Sequence, residues 1–285
     1  MNRMRSAFQR CAILLLAGLA AMVGLTSCSV NPLTSGKSRS FTFVQLCDPQ
    51  FGFSDYERDK ESLRQAVRQI NALGPDFVVI CGDMVHTANN SSYADFKVIV
   101  RAFTMPYYCV PGNHDVGNTP TAETLSNYRA IIGNDYYAMD HKGVSFIFTN
   151  TQLWKEPVEG ESEKQDRWLG GRLKDAFEKG YPAVIVGHIP LFCRTADEPD
   201  EYMNLPVEKR AELLKLFEQY KVAAVLGGHA HRLIVNTYQG MQMVNGEATS
   251  KNIDGSPLGF RLWHVDAGGV LRHEFVPLEL TSPSL

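Results

Sequence analysis

From Phe41 onward, short apolar runs alternate with longer amphipathic stretches. Phe41 to Cys47 reads as a strand, and Glu57 to Leu73, with Leu63, Ala66, Val67 and Ile70 on one face, predicts a helix. Gly74-Pro75 stops that helix. Phe77 to Cys81 is a short β-branched run, Ser92 to Phe103 a helix, and Pro106 to Val110 a strand. Strands alternating with helices at this spacing imply a parallel sheet with right-handed crossovers. Further on, Tyr136 to Thr151 predicts a hairpin about His141-Lys142-Gly143. Gln165 to Glu178 predicts a helix with Trp168, Leu169, Leu173 and Phe177 on its apolar face. Ala183 to Val186 and Val222 to Leu226 read as buried strands around a helix from Val207 to Tyr220. Beyond Leu233 the pattern turns to hairpins, with turns at Gln239-Gly240 and Ala267-Gly268-Gly269. No internal repeat interrupts this order, so one α/β domain over residues 41–285 is the simplest organisation.

The polar residues collect where the apolar runs end. In order they are Asp48-Pro49-Gln50, Gly82-Asp83, Gly112-Asn113-His114-Asp115, Gly187-His188 and Gly228-His229-Ala230-His231. Ligands of open α/β sheets bind outside the carboxyl ends of strands. Singly, each Asp or Asn is a common cap or turn residue, and each His a common surface side chain. Jointly they bring carboxylates, an amide and imidazoles to one rim, which is costly unless something cationic binds there. A pair of divalent ions removes that cost. Oxygen and imidazole donors without thiolate suit Mn, Fe or Zn, and two such ions form the clamp used for in-line displacement at phosphorus.

Composition narrows the partners. The apolar fraction of 44%, the charged fraction of 21% and the net charge of −3 are those of an ordinary globular protein. No basic field points to specific nucleic-acid binding. Cys47, Cys81, Cys109 and Cys193 are expected as free thiols, the first three at the ends of strand-like runs. Oligomeric state is not encoded in any pattern here.

The N-terminus has its own logic. Arg3, Arg5 and Arg10 precede an apolar run from Ala12 to Leu25, the layout of a secretory signal peptide over residues 1–27. Leu25-Thr26-Ser27-Cys28 resembles a bacterial lipobox, which implies lipid attachment at Cys28 and a membrane-anchored lipoprotein on the periplasmic or outer-membrane face. Plain signal cleavage beside an incidental cysteine is the alternative. Residues 28–40, rich in Ser, Thr, Gly and Pro, read as a flexible tether.

The five polar motifs, in their order, resemble the signature of the calcineurin-like metallophosphoesterase superfamily over Asp48 to His231. The resemblance implies a sandwich of two mixed β-sheets flanked by helices, with the metals on the strand-end rim. It makes Asp48, Gln50 and His231 ligands of one metal, and Asn113, His188 and His229 ligands of the other. Asp83 would bridge both, and His114 would protonate the leaving oxygen. Asp48-Pro-Gln-Phe-Gly52, Cys81-Gly-Asp83, the run from Gly112 to Thr124, His188-Ile-Pro-Leu-Phe192 and Gly228-His-Ala-His-Arg232 look most like the branch of calcineurin-like phosphoesterase domain-containing protein 1. That branch implies serine/threonine phosphatase chemistry.

Departures from the wider superfamily are specific. Gln50 stands in place of a histidine, a pattern shared with manganese-dependent ADP-ribose/CDP-alcohol diphosphatases. His86 stands where phosphoprotein phosphatases carry an Asp that orients the catalytic His, so His86 or Asp115 is expected to take that role. Thr87 replaces a phosphate-binding arginine, which leaves Arg194 and Arg232, with Asn113, as candidate phosphate contacts. The expected reaction is hydrolysis of phosphate monoesters, of a phosphoprotein or a small phosphorylated molecule, by a hydroxide held between two metals. A phosphodiesterase or diphosphatase acting on nucleotide derivatives is the alternative. A non-catalytic metal- or phosphate-binding lipoprotein is a third reading, disfavoured by the presence of both Asp83 and His114.

Overall fold

The computed structural model describes residues 40–280. The signal segment, Cys28 and all of the tether but Ser40 lie outside the described residues. Among the described residues eleven strands form two mixed sheets. The first is built from β1 (Phe41–Leu46), β2 (Phe77–Cys81), β3 (Tyr107–Val110), β10 (Gly259–Val265) and β11 (Leu271–Pro277), in the order β11-β10-β1-β2-β3. The second contains β4 (Tyr137–His141), β5 (Val144–Phe148), β6 (Ala183–Val186), β7 (Val222–Gly227), β8 (Ile234–Tyr238) and β9 (Met241–Asn245), in the order β4-β5-β6-β7-β9-β8. Strands β1, β2 and β3 run parallel, as do β5, β6, β7 and β9. The predicted β4–β5, β8–β9 and β10–β11 hairpins are present and antiparallel.

Period-two alternation assigns each strand residue to a layer. On β1, Phe41 and Phe43 enter the apolar layer between the sheets, with Phe77, Phe146 and Trp263, whereas Val44 and Leu46 face the other side. There they meet Leu63, Ala66, Val67 and Ile70 of α1 (Tyr56–Leu73) and Phe96 of α2 (Asn90–Val100). On the far face of the second sheet, α6 (Glu161–Lys179) and α7 (Val207–Gln219) cover Ile147, Ile185 and Val225. The polar side chain of Gln45 is fully buried in the inter-sheet layer. Its amide donates to the carbonyls of Gly227 and Val244 at 2.9 and 3.0 Å and accepts from Trp263 Nε1 at 2.9 Å. This satisfied amide ties β1 to β7 and β9 and sets the two strand-end rims side by side.

Some expectations shift. Helix α6 starts four residues earlier than its apolar pattern and buries Ser162, Gln165, Leu169, Leu173 and Ala176. Phe177 lies at the edge of that stripe, 38% exposed, with its ring 6.0 Å from that of Tyr220. The helices α3 (Asn113–Val116), α4 (Ala122–Ile131) and α5 (Gln152–Lys155) have no counterpart in the apolar periodicity. Two are single turns, and α4 buries only Leu125 and Tyr128. The five polar motifs come from two sheets, not from one continuous rim. Cys47, Cys81, Cys109 and Cys193 are free thiols. Among the described residues no helix is long and apolar enough to cross a membrane.

Candidate metal centre

The chain leaves β1, β2 and β7 in strained backbone. Asp48, Gln50, Asp83, His229 and His231 all have φ between 35° and 68°, the left-handed region that side chains other than glycine seldom occupy. Strain of this kind costs on the order of 1–3 kcal/mol per residue and persists where surrounding contacts over-determine it. The glycines of the motifs make room. A β-carbon at Gly112 would overlap the Asp83 carboxylate, and one at Gly228 would overlap Asp48. The Asp48 carboxylate accepts from His229 N at 3.1 Å, and Asp83 Oδ1 from His114 N at 2.9 Å. The loops are thus cross-tied through the acids they present.

Two ligand sets result. Asp83, His188 and His229 bring donor atoms within 4.8 Å of one another, and so do Asp48, Asp83 and His231. Asp83 belongs to both. Each imidazole has one nitrogen fixed by a backbone carbonyl, which can only accept. His188 Nδ1 donates to Cys81 O at 2.7 Å, His229 Nε2 to Tyr202 O at 3.1 Å, and His231 Nδ1 to Lys251 O at 2.7 Å. The opposite nitrogens are therefore left to face the acids. His188 Nε2 lies 3.3 Å from Asp83 Oδ2, 3.1 Å from Asn113 Oδ1 and 3.2 Å from His229 Nδ1. With neutral imidazoles these are all lone pairs pointing at one another, an arrangement that requires positive charge among them.

The electrostatics report the same crowding. Burial raises the Asp48 carboxyl against the pull of His231 and His188. Burial also acts to raise Asp83, but His188, His114 and His229 outweigh it and hold this acid well below the usual carboxylate range. Burial would lower His188, yet Asp83 and Asp48 push it up to about 10. His229 falls to about 3 through burial and the charge of His188. Gln50 completes the donor set. Its Nε2 lies 3.4 Å from His86 Nδ1, while its Oε1 is buried with no partner, an acceptor that a cation would satisfy. Buried oxygen and imidazole donors, fixed tautomers and an orphaned amide oxygen fit two divalent ions.

Of the two residues expected to orient His114, His86 makes the contact, through its backbone and its ring. His114 Nδ1 donates to the backbone carbonyl of His86 at 2.8 Å, and the two rings stack at 4.6 Å. Asp115 does not touch the His114 ring. Its carboxylate accepts from Gly112 N at 2.8 Å, Met84 N at 3.2 Å and the Tyr93 hydroxyl at 3.3 Å, which joins the Asp83 and Asn113 loops. Burial, then Asp83, raises Asp115 to about 7. Asn113 has both amide hydrogens committed, to Asn118 Oδ1 at 3.1 Å and to the Tyr202 oxygen at 3.0 Å, so none is left for a phosphoryl oxygen. Arg194 is 65% exposed at its side chain and paired with Glu201 at 2.9 Å. Arg232 is exposed, and its charge acts on Cys193 and Asp254. Tyr202, Tyr93 and Lys251 were not foreseen. Lys251 reaches the site through its carbonyl, Tyr93 through its hydroxyl and Tyr202 through both, and such contacts leave no spacing signal in a sequence.

Residues 41–233 match the family described as calcineurin-like phosphoesterase. The human serine/threonine-protein phosphatase CPPED1 is 34% identical over 265 residues, covering 84% of each chain. A probable glycerophosphodiester phosphodiesterase, GpdQ, of Arcobacter nitrofigilis is 25% identical over 199 residues, 68% of this chain and 71% of its own. Among solved structures, a dimetal phosphatase from Danio rerio superposes with a TM-score of 0.60 at 18% identity, covering 86% of this chain and all of its own, a likeness of fold.

Proposed function

We propose a specific reaction on one premise: the chain belongs to the calcineurin-like phosphoesterase family and is a hydrolase of phosphate esters. The proposed reaction is hydrolysis of phosphate monoesters, with phosphoserine and phosphothreonine in proteins as the first substrate class. The observation that carries it is Asp83, shared by two ligand sets on either side of it. Asp48, Gln50, Asp83 and His231 would hold one ion, and Asp83, Asn113, His188 and His229 the other. Two such ions supply a nucleophile from water at neutral pH and neutralise charge on phosphoryl oxygens.

The chain's own part is proton delivery and orientation. The carbonyl of His86 holds one proton of His114 on Nδ1, so when the ring is doubly protonated the second proton sits on Nε2, free for transfer, and its loss leaves the neutral Nδ1–H form. As the P–O bond breaks, that proton passes to the departing oxygen. Burial, then the charge of His114, lowers His86, whose Nδ1 lies 3.4 Å from Gln50 Nε2 and so faces the amide hydrogens. Gln50 thereby keeps its oxygen turned to the metal side. The CPPED1 relatives support the phosphoprotein class.

A second reading, cleavage of diesters or diphosphates, has its own support. Beside His231 a cavity of about 450 Å³ is lined by Arg58 and Lys251, and neither has an acidic partner among the described residues. Those cations suit a second anionic group, and a phosphodiesterase stands among the relatives. Attachment to a membrane through Cys28 is part of the proposal, supported by the arginine-led apolar run and the Leu25-Thr-Ser-Cys28 sequence. The test is Mn²⁺-loaded protein given a phosphoserine peptide, p-nitrophenyl phosphate, bis(p-nitrophenyl) phosphate and ADP-ribose. A higher kcat/KM for the two monoesters supports the first reading; a preference for either of the others replaces it with the second.

A further inference from the structure

Thr87 stands where phosphoprotein phosphatases carry a phosphate-binding arginine, Arg194 is paired with Glu201, and Arg232 is exposed and makes no contact with the candidate ligands among the described residues. The group that stands beside Asn113 is the phenol of Tyr202. Its oxygen accepts an amide hydrogen from Asn113 at 3.0 Å, which uses a lone pair and leaves the phenolic hydrogen unspent. No acceptor for that hydrogen is found among the described residues. Its ring lies 4.9 Å from His229, and its own carbonyl fixes the His229 tautomer. Tyr202, Asn113 and His229 together line an open cavity of about 310 Å³, room for a phosphate ester beside the hydroxyl.

The loop that presents Tyr202 is built with buried polar groups rather than left slack. Glu198, almost fully buried, accepts from the backbone of Cys193, Arg194 and Thr195 and from Asn204 Nδ2. The fully buried Arg210 guanidinium donates to the carbonyls of Ala196, Glu198 and Leu205 at 2.8–2.9 Å. Lys155 Nζ donates to Glu201 O and Asn204 O, on either side of Tyr202, at 2.6 Å. Burying a carboxylate and a guanidinium is costly, and here the Glu198 carboxylate and both terminal nitrogens of Arg210 offset that cost by fixing backbone, only Arg210 Nε being without a partner. The tip they fix carries a 54% exposed tyrosine whose hydroxyl touches a candidate metal ligand.

We infer that Tyr202 is a catalytic residue whose O–H donates to a phosphoryl oxygen of the bound ester. This rests on the reading of the site as a phosphate-ester centre. A phenol is protonated at neutral pH, so the donor is available without any proton transfer. A fixed donor aimed at oxygens that gain charge stabilises the transition state more than the ground state. Tyr202 thus takes a share of the work that an arginine would do, as a neutral donor.

Tyr202→Phe isolates the hydroxyl, because the ring and the carbonyl that holds His229 both remain. In Mn²⁺-loaded protein the expected result is about a tenfold loss in kcat on p-nitrophenyl phosphate. Affinity for inorganic phosphate, measured by calorimetry, should weaken by several-fold, with metal content equal to wild type. Unchanged phosphate affinity and kcat would overturn the assignment, as would a loss of metal that accounts for the whole effect. Phosphate affinity reports on Tyr202 whichever ester the wild type prefers, so failure of the monoester reading and failure of this inference are told apart.

Discussion

His86 holds His114 twice, by a carbonyl that accepts from His114 Nδ1 at 2.8 Å and by a ring stacked on it at 4.6 Å and 27°. The carbonyl belongs to the backbone and survives any substitution at position 86. His86→Ala should therefore remove the stack and the contact with Gln50 but keep the carbonyl, and lower kcat by a few-fold, whereas His114→Ala should lower it by about 10²–10⁴. The pH profile of kcat on p-nitrophenyl phosphate separates the two. His86→Ala should keep an alkaline limb, shifted in position, and His114→Ala should lose it.

Asp83 serves both ligand sets, so its loss should unload both. Asp83→Asn should retain less than one metal equivalent by elemental analysis and lose at least about a hundredfold in kcat. Two full equivalents in the purified variant would remove Asp83 from its bridging position. Overnight dialysis against a chelator should abolish wild-type activity, and Mn²⁺ should restore it.

Gln50 has a buried, unpartnered oxygen and a nitrogen near His86. Gln50→His should lower the metal concentration needed for half-maximal activity and move the preference towards Zn²⁺ or Fe, which imidazole suits. Gln50→Ala should raise that concentration while leaving part of the activity at saturating metal. Titration curves that overlay for all three proteins would leave Gln50 only a hydrogen-bonding role.

His273, across from Trp263 on β10 and with its ring 4.4 Å away, is lowered to about 4 by burial and then by the charge of Arg261. Its unfolded value is near 6.5. Below that pH the unfolded chain takes up a proton that the folded chain refuses, so stability falls as pH drops from about 6.5 towards 4. Above about 6.5 the contribution is complete. His273→Phe should flatten this part of the dependence of Tm on pH without changing activity. An unaltered slope between pH 4 and 6.5 would show that His273 is not its source.

Cys28 should carry lipid when the full-length chain is made in a bacterial host. Labelled palmitate should enter the wild type and not Cys28→Ser, and an unlabelled wild type would end the lipoprotein reading.

The sequence by itself determined the order of elements and the identity of the candidate ligands. Buried parallel strands need continuous apolar runs, as in Phe77–Cys81 and Ala183–Val186, and such runs are visible without a structure. The residues that follow them, from Asp48 to His231, were legible because a strand end fixes where a side chain emerges. Short helices were not, since α3 and α5 are single turns stabilised by their surroundings rather than by periodicity. Tertiary structure alone decided how the site is oriented. The carbonyls of Cys81, Tyr202, Lys251 and His86 choose the tautomer of four histidines, and a carbonyl is the same in every residue. No side-chain pattern can encode such a contact. The hydroxyl of Tyr202 reaches Asn113 across 89 residues only because Glu198 and Arg210 fold their loop back over the metal centre.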